Sequence, residues 1–335
     1  MKLLFLIRQT AGGLARHCQD LADSLRAMDV QVEVCDASDW IPDATGKSID
    51  RMTSETLRAK ASNSDIVHAF GYRAAWACAE AFGSKEAWVY SAYDLPKTTH
   101  PELIDRLERA QFGVASCEAV RRSLRESLLD DVRVVTPGVR DLAATKTRDL
   151  MRAELGIPES APLVGAFGRF VAERGFGSLL DSMETLWARQ PDSHLLISGE
   201  GPEHETFEAQ RSALSRPDQV TLRPWLDSAP DFIEACDLIV VPSKRQGFSM
   251  LAAESMRLGQ TVLLRRTGGL PELVDERVSG FLFETDSDLG DTAAGLLQSP
   301  LTLGVVGNAA RVRAEDRFDP TYAAEQVLEG YRELI

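Results

Sequence analysis

The stretch Leu163-Val164-Gly165-Ala166-Phe167-Gly168-Arg169-Phe170-Val171-Ala172-Glu173-Arg174-Gly175 holds a short apolar run and, directly behind it, a glycine turn with two arginines. Five apolar residues bounded by such a turn have the length of a buried strand, and Glu173-Arg174-Gly175 stands at the start of the helix that follows. The same rhythm continues with strands at His194 to Ser198, Val220 to Leu222, Leu238 to Val241, Thr261 to Leu264 and Gly280 to Phe283. It also precedes the stretch, at Leu3 to Ile7, Val30 to Cys35, Ile66 to Phe70, Trp88 to Ser91, Phe112 to Ser116 and Val132 to Thr136. Between the first two, Leu14, Cys18, Leu21, Leu25 and Met28 mark one face of a helix. Apolar strands alternating with amphipathic helices predict α/β architecture, a doubly wound parallel sheet covered on both faces, with ligands beyond the carboxyl ends of the strands.

The pattern occurs twice, and 335 residues exceed what one hydrophobic core organises, so two domains are expected. Asp141 to Pro158, polar and without strand character, reads as linker and hinge between domains that meet across a cleft. The boundaries expected are 1–145 for the first domain and 146–317 for the second. A composition of 44% hydrophobic and 26% charged residues is that of a folded globular chain. A formal charge of −14 argues against general nucleic-acid binding and against broad adhesion to an anionic membrane. Peripheral membrane contact stays open, since Arg121, Arg122 and Arg125 allow a local basic patch, though they also read as solvated helix charges. Met1 to Ile7 is too short for a signal peptide and is better read as the first strand, and no apolar run has bilayer-spanning length. Five scattered cysteines fit a reducing compartment, so the expected location is the cytoplasm, and histidines without ligand spacing predict no metal.

Three elements carry chemistry. Arg169 and Arg174, at the carboxyl edge of a sheet beside a helix N-terminus, suit a diphosphate through charge-assisted hydrogen bonds and the helix dipole; surface arginines at a helix start are the alternative. Gly199-Glu200-Gly201-Pro202 reads as a structural turn, with proline in the first turn of the next helix. Pro242 to Glu254 reads as a strand end, a loop through Gln246 and Gly247, and then a helix. The amides of Gly247, Phe248, Ser249 and Met250 would point from its N-terminus toward sugar hydroxyls or phosphate, and Glu254 farther along would accept ribose hydroxyls.

In this order and spacing, the elements resemble the retaining GT-B glycosyltransferases of family 4 (glycosyl transferases group 1). Ile7 to His17 with Gly12-Gly13 is similar to that family's acceptor-domain loop, and so are Thr267-Gly268-Gly269-Leu270-Pro271-Glu272, Gly280-Phe281-Leu282 and the closing helix through Tyr331. The resemblance implies two Rossmann-like domains facing across a cleft, with the last helix, about 318–335, packed back on the first. It implies that Arg169 and Arg174 bind the donor diphosphate, that Gly12 and Gly13 approach it, that Glu254 binds ribose, and that Trp225 and Leu226 lie along the nucleobase. Arg174 stands where the family usually has lysine, which keeps the charge.

Three positions depart from the family. Gln246 replaces the first glutamate of its paired-glutamate motif and brings no negative charge to an oxocarbenium-like transition state. Tyr93, beside Asp94 on the acceptor side, stands where many members have histidine, and Arg140 where they often have aspartate. Other signals have plainer readings. Asp286-Ser287-Asp288 spells a cation-holding aspartate pair but lies in a polar loop ahead of a helix, where aspartates serve as caps. No GxGxxG turn follows the first strand, which disfavours a dinucleotide-dependent dehydrogenase, and no nucleophile elbow points to a hydrolase. His17, near Gly12-Gly13, reads as a helix-surface histidine with a ligand contact as the alternative, and Trp40 and Trp76 as packing residues with sugar-stacking platforms as the alternative.

The expected activity is metal-independent, retaining transfer of a sugar from a nucleoside-diphosphate sugar, a UDP- or GDP-sugar, to an acceptor hydroxyl. The acceptor is a sugar, a lipid-linked molecule or a small molecule, in glycan, glycolipid or cell-envelope polysaccharide synthesis. No cofactor is needed. The alternative is a nucleotide-sugar-binding protein of the same fold with impaired turnover, a reading that Gln246 and Tyr93 motivate.

Overall fold

A computed structural model describes residues 1–8, 12–41, 51–82, 87–95, 107–125, 131–225 and 228–335. The chain divides into one unit of residues 1–140 with 317–335 and a second of residues 141–316. Each is built on a six-stranded, wholly parallel sheet.

In the first unit the strands are β1 (Lys2–Ile7), β2 (Gln31–Asp36), β3 (Ile66–Phe70), β4 (Trp88–Ala92), β5 (Gly113–Ala115) and β6 (Val132–Val134), in the order β2-β1-β3-β4-β5-β6. The period of two in β1 decides what covers each face. Leu3, Phe5 and Ile7 join a core with Cys18, Leu21 and Leu25 of helix Gly13–Arg26 and with Val327 and Tyr331 of the closing helix Pro320–Arg332. Leu4 and Leu6 face the alanine-rich helix Tyr72–Ala81. Met28 falls beyond the first helix, which ends at Arg26. The closing helix is tied in by a polar contact as well as by apolar area. Fully buried His68 hydrogen-bonds the Tyr331 hydroxyl through Nδ1 and the Ser91 hydroxyl through Nε2, the latter at 2.7 Å. Burial, followed by the field of His17, holds His68 well below the usual histidine pKa, so the ring is neutral.

In the second unit β7 (Leu163–Phe167), β8 (His194–Ser198), β9 (Val220–Arg223), β10 (Leu238–Val241), β11 (Val262–Arg265) and β12 (Phe281–Phe283) run in the order β12-β11-β10-β7-β8-β9. Val164 and Ala166 pack against Leu179 and Met183 of helix Phe176–Arg189. From β7 the chain winds one way to β8 and β9, then returns to the other side of β7 for β10. The loops after β7 and β10 therefore diverge from adjacent strands, which is where open α/β sheets hold ligands.

The expected linker is ordered structure of the second unit. Asp231 accepts hydrogen bonds from the Thr145 and Lys146 amides at 2.6 and 3.1 Å and from the Thr145 hydroxyl at 2.8 Å. Thr147 then caps helix Arg148–Leu155. Arg152, 1% exposed, donates to the carbonyls of Ala235, Glu159 and Ala161 at 2.8, 2.7 and 2.8 Å and to the Asp237 carboxylate at 2.8 Å. Among the described residues no helix is long and apolar enough to cross a membrane.

Candidate functional site

Beyond β7 the backbone is held from two sides. The Gly168 amide donates to Ser198 O at 3.0 Å and the Phe170 amide to Glu200 O at 2.8 Å, drawing the start of the loop toward β8. A Cβ on Gly199 would overlap the Gly168 carbonyl, so this approach requires glycine. The expected Gly199-Glu200-Gly201-Pro202 turn is present, but Pro202 precedes the helix, which begins at His204 with Glu203 at the N-cap position and no side-chain cap hydrogen bond. The loop after β7 ends in a single 3₁₀ turn, Ala172–Arg174, before helix Phe176–Arg189. There it meets the loop after β10, where the Lys244 amide donates to Glu173 O at 2.9 Å. Arg169 is exposed and Arg174 half-buried, and among the described residues neither guanidinium makes a hydrogen bond or an ion pair. Arg266, by contrast, is engaged by Glu276 at 2.7 Å and Glu284 at 2.5 Å.

Past β10, Gln246 is buried, with 7% of its surface exposed, and its Nε2 donates to Phe248 O at 2.9 Å. The Gly269 amide donates to Gln246 O at 3.1 Å, and the Thr267 hydroxyl to Lys244 O at 3.2 Å, so the loop after β11 pins the loop after β10. Phe248 and Met250 turn their side chains into the core. Ser249 is the N-cap of helix Met250–Arg257, and its hydroxyl accepts from the Ala252 amide at 3.2 Å. That hydroxyl therefore serves the helix. Glu254 lies one turn into the helix and is only 2% exposed.

Trp225 follows β9, is 37% exposed, and sets its ring edge-on to Phe167, with centroids 4.7 Å apart. An indole beside the end of β7 has the shape of a base platform. Leu226 lies outside the described residues. Asp286-Ser287-Asp288 forms the first turn of helix Asp286–Leu297 rather than a loop, and the Asp288 carboxylate accepts from the Thr285 amide at 3.1 Å, closing a capping box. Asp286 pairs with Arg265 and stands 3.7 Å from Lys244. Burial pushes its carboxyl pKa up, but the Arg265 hydrogen bond and the surrounding donors and charges outweigh this and leave it below the ordinary value. Among the described residues no three His, Cys, Asp or Glu side chains gather as a metal site requires.

In the first unit Gly12 is the N-cap of helix Gly13–Arg26, and Tyr93 and Asp94 follow β4, both half-buried. The Tyr93 carbonyl accepts from the Ser116 hydroxyl at 2.8 Å, and Asp94 Oδ1 from the Leu95 amide at 2.9 Å. His17 corrects the surface reading. It is 5% exposed, its ring lies 5.9 Å from Phe70 and 6.0 Å from Tyr93 between centroids, and burial lowers its pKa to about 4. The signal was available, because His17 shares the helix face of Leu14, Cys18, Leu21 and Leu25. Trp76 is buried and Trp40 packs against the same core, as packing residues do. Arg140 pairs with Asp20 and Asp23, at 2.5 and 3.1 Å. The roles of Glu173 and Thr267 in joining the loops were not legible, because Glu173 acts through its backbone carbonyl and Thr267 through a hydroxyl on the Lys244 carbonyl, both contacts between loops far apart in sequence.

Two six-stranded parallel sheets, each with its helices, define the two-domain α/β fold of the GT-B glycosyltransferases. Residues 147–312 match the family model described as Glycosyl transferases group 1. The D-inositol 3-phosphate glycosyltransferase of Saccharomonospora viridis is 31% identical over 63% of this chain and 52% of its own. An enzyme of the same name from Segniliparus rotundus is 33% identical over 61% of this chain and 47% of its own. The chain thus spans about half the length of these two curated relatives. Among solved structures, Anabaena Alr3699/HepE in complex with UDP-glucose superposes with a TM-score of 0.86 at 19% identity, over 99% of this chain and all of that one. This likeness speaks to the fold.

Proposed function

We propose that this protein is a retaining, family 4 glycosyltransferase that moves a sugar from a nucleoside-diphosphate sugar to an acceptor hydroxyl. The observation that carries the reading is the pair of guanidiniums, Arg169 and Arg174, without a hydrogen bond or ion pair among the described residues, beside the point where the second sheet reverses its winding. Charge at that place, in a chain whose net charge is −14, suits a diphosphate. The family match over residues 147–312 and the UDP-glucose complex of a structural neighbour support it.

In the proposed division of labour, residues 146–317 bind a UDP- or GDP-sugar and residues 1–145, with the closing helix, bind the acceptor. Arg169 and Arg174 hold the diphosphate, Gln246 and the 247–250 loop face the sugar, Glu254 takes the ribose, and Trp225 with Leu226 takes the base. Gly12 and Gly13 keep the diphosphate-approaching role that the resemblance implies, and Tyr93 and Asp94 serve the acceptor. The acceptor oxygen bonds to the anomeric carbon on the face from which the nucleoside diphosphate leaves. The carbon–oxygen bond to phosphate breaks, and the leaving phosphate takes the hydroxyl proton, so no protein nucleophile is required. The two guanidiniums stabilise the charge that gathers on the leaving group, which makes the reaction metal-independent. The acceptor is a sugar, a lipid-linked molecule or a small molecule of glycan, glycolipid or cell-envelope polysaccharide synthesis. Five buried, free thiols suit work in the cytoplasm.

The second reading, a nucleotide-sugar-binding protein without turnover, is favoured by glutamine at position 246. Acceptor-dependent release of nucleoside diphosphate from UDP-glucose or GDP-mannose, followed with and without a chelator, separates the two. The proposal expects release that survives chelation. Tight binding without release across an acceptor panel would favour the second reading, and activity restored only by added manganese would remove metal independence.

A further inference from the structure

Resting on the donor-site reading above, we infer that Asp286 is a positioning residue: with Arg265 it holds the loop after β10 against the 3₁₀ turn that carries Arg174, and so sets where that guanidinium meets a diphosphate. The carboxylate is available for this because the start of its helix is closed by others. Thr285 and Asp288 form the capping box, in which Asp286 has no part. It pairs instead with Arg265, at the end of β11. Arg265 is only 9% exposed, its guanidinium lies 4.9 Å from the centre of the Phe283 ring, and its Nε donates to Pro242 O at 3.0 Å. A guanidinium taken this far from water needs an opposite charge, and Asp286 supplies it.

Two routes lead from this carboxylate to Arg174. On the first, Asp286 orients Arg265 and Arg265 holds Pro242 O, the oxygen that a Cβ on Gly175, next to Arg174, would overlap. On the second, Asp286 stands 3.7 Å from Lys244 Nζ, and the Lys244 amide donates to the carbonyl of Glu173, the other neighbour of Arg174. Ser178, in the first turn of the helix behind Gly175, is a further polar neighbour that favours the ionised carboxylate. The residues on either side of Arg174 are thus seated on Pro242 and Lys244, and both of these are held by Asp286. Without its charge the Arg265 guanidinium and the Lys244 ammonium relax, and a diphosphate must re-form the arrangement as it binds. The first aspartate of Asp286-Ser287-Asp288 is committed to these two cations, so it braces the phosphate-binding loops instead of holding a metal ion.

The test is calorimetry on the full chain with UDP, GDP, uridine and guanosine, using the parent, Asp286→Asn, Asp286→Glu, Arg265→Met and the double variant of Arg265→Met with Asp286→Asn. Asp286→Asn should weaken the better-bound diphosphate by about tenfold, equivalent to about 1.4 kcal/mol, and leave its nucleoside within about twofold. Asp286→Glu should recover most of the loss, because it restores the charge. Arg265→Met should lose as much as Asp286→Asn, and the double variant no more than either, since the two side chains act as one unit. Should Asp286→Asn fail to fold, as thermal melts report, Arg265→Lys supplies the same comparison, because one ammonium cannot hold Pro242 O and Asp286 together. Diphosphate affinity unchanged in Asp286→Asn overturns the inference, as does an equal loss for nucleoside and diphosphate, which a general structural role would give. Manganese that strengthens nucleotide binding by the parent and not by Asp286→Asn also overturns it, by making the carboxylate a cation ligand. A parent that binds neither UDP nor GDP overturns the nucleotide-sugar reading itself.

Discussion

Gly175 packs directly on Pro242. Gly175 holds a φ of +73°, and a Cβ on it would collide with the Pro242 carbonyl oxygen. With the Lys244 amide bonded to Glu173 O, this contact seats the loop after β7 on the loop after β10, the pair of loops that forms the candidate site.

Gly175→Ala should therefore destabilise the second unit by about 1–3 kcal/mol, from left-handed strain and overlap together, and weaken UDP or GDP binding. Gly156 supplies the control: its φ is +69°, but a Cβ there meets nothing within 4 Å. Gly156→Ala should carry only the conformational cost, about 1 kcal/mol, and leave nucleotide affinity alone. Thermal melts with calorimetry check both. Equal losses of affinity in the two variants would argue against the loop contact as a determinant of the site.

Arg152 is the anchor of the segment between the sheets. Its substitution by methionine leaves four carbonyls and the Asp237 carboxylate without this donor and should cost about 3–5 kcal/mol in denaturant unfolding. Arg152→Lys should recover little, because a single ammonium cannot reach the directions that the guanidinium covers. A loss below about 1 kcal/mol in either variant would mean that the network contributes little to stability.

His17 gives the first unit a pH dependence. Its pKa is lowered from 6.5 to about 4 in the folded chain, so the unfolded chain binds the proton more readily. Stability from this group is complete above pH 6.5 and is lost as pH falls toward 4, by roughly 3 kcal/mol in all. His68, lowered for the same main reason of burial, acts in the same direction. Urea unfolding at pH 7 and pH 5 should show the loss, and His17→Phe should flatten it in part. Parallel pH profiles for parent and variant would exclude His17 as a source.

How far these features were legible depends on the kind of interaction. The continuous apolar runs Leu3 to Ile7 and Leu163 to Phe167 announce buried strands, because burial on both faces is written directly into side-chain type. The expected placement of Arg169 and Arg174 after β7 matches the fold, since a glycine turn after a strand is a local signal. Arg152 escaped notice because a buried arginine is satisfied by carbonyls, which sequence does not display. Asp286 read as part of a loop although the capping box of Thr285 and Asp288 starts the helix locally; its pairing with Arg265, distant in the chain, was not legible. Glutamine at 246 was visible as a departure from the family it resembles, but the contact between its amide and Phe248 O was not.

Arg169 and Arg174 are proposed to bind the nucleoside diphosphate in the second unit. The most direct measurement is calorimetric titration of UDP and GDP into the parent and into Arg169→Ala and Arg174→Ala. Measurable binding of at least one nucleotide by the parent is expected, with a loss of about 1.5–3 kcal/mol in each variant, the scale of a hydrogen bond to a charged group. Affinity unchanged in both variants would contradict it.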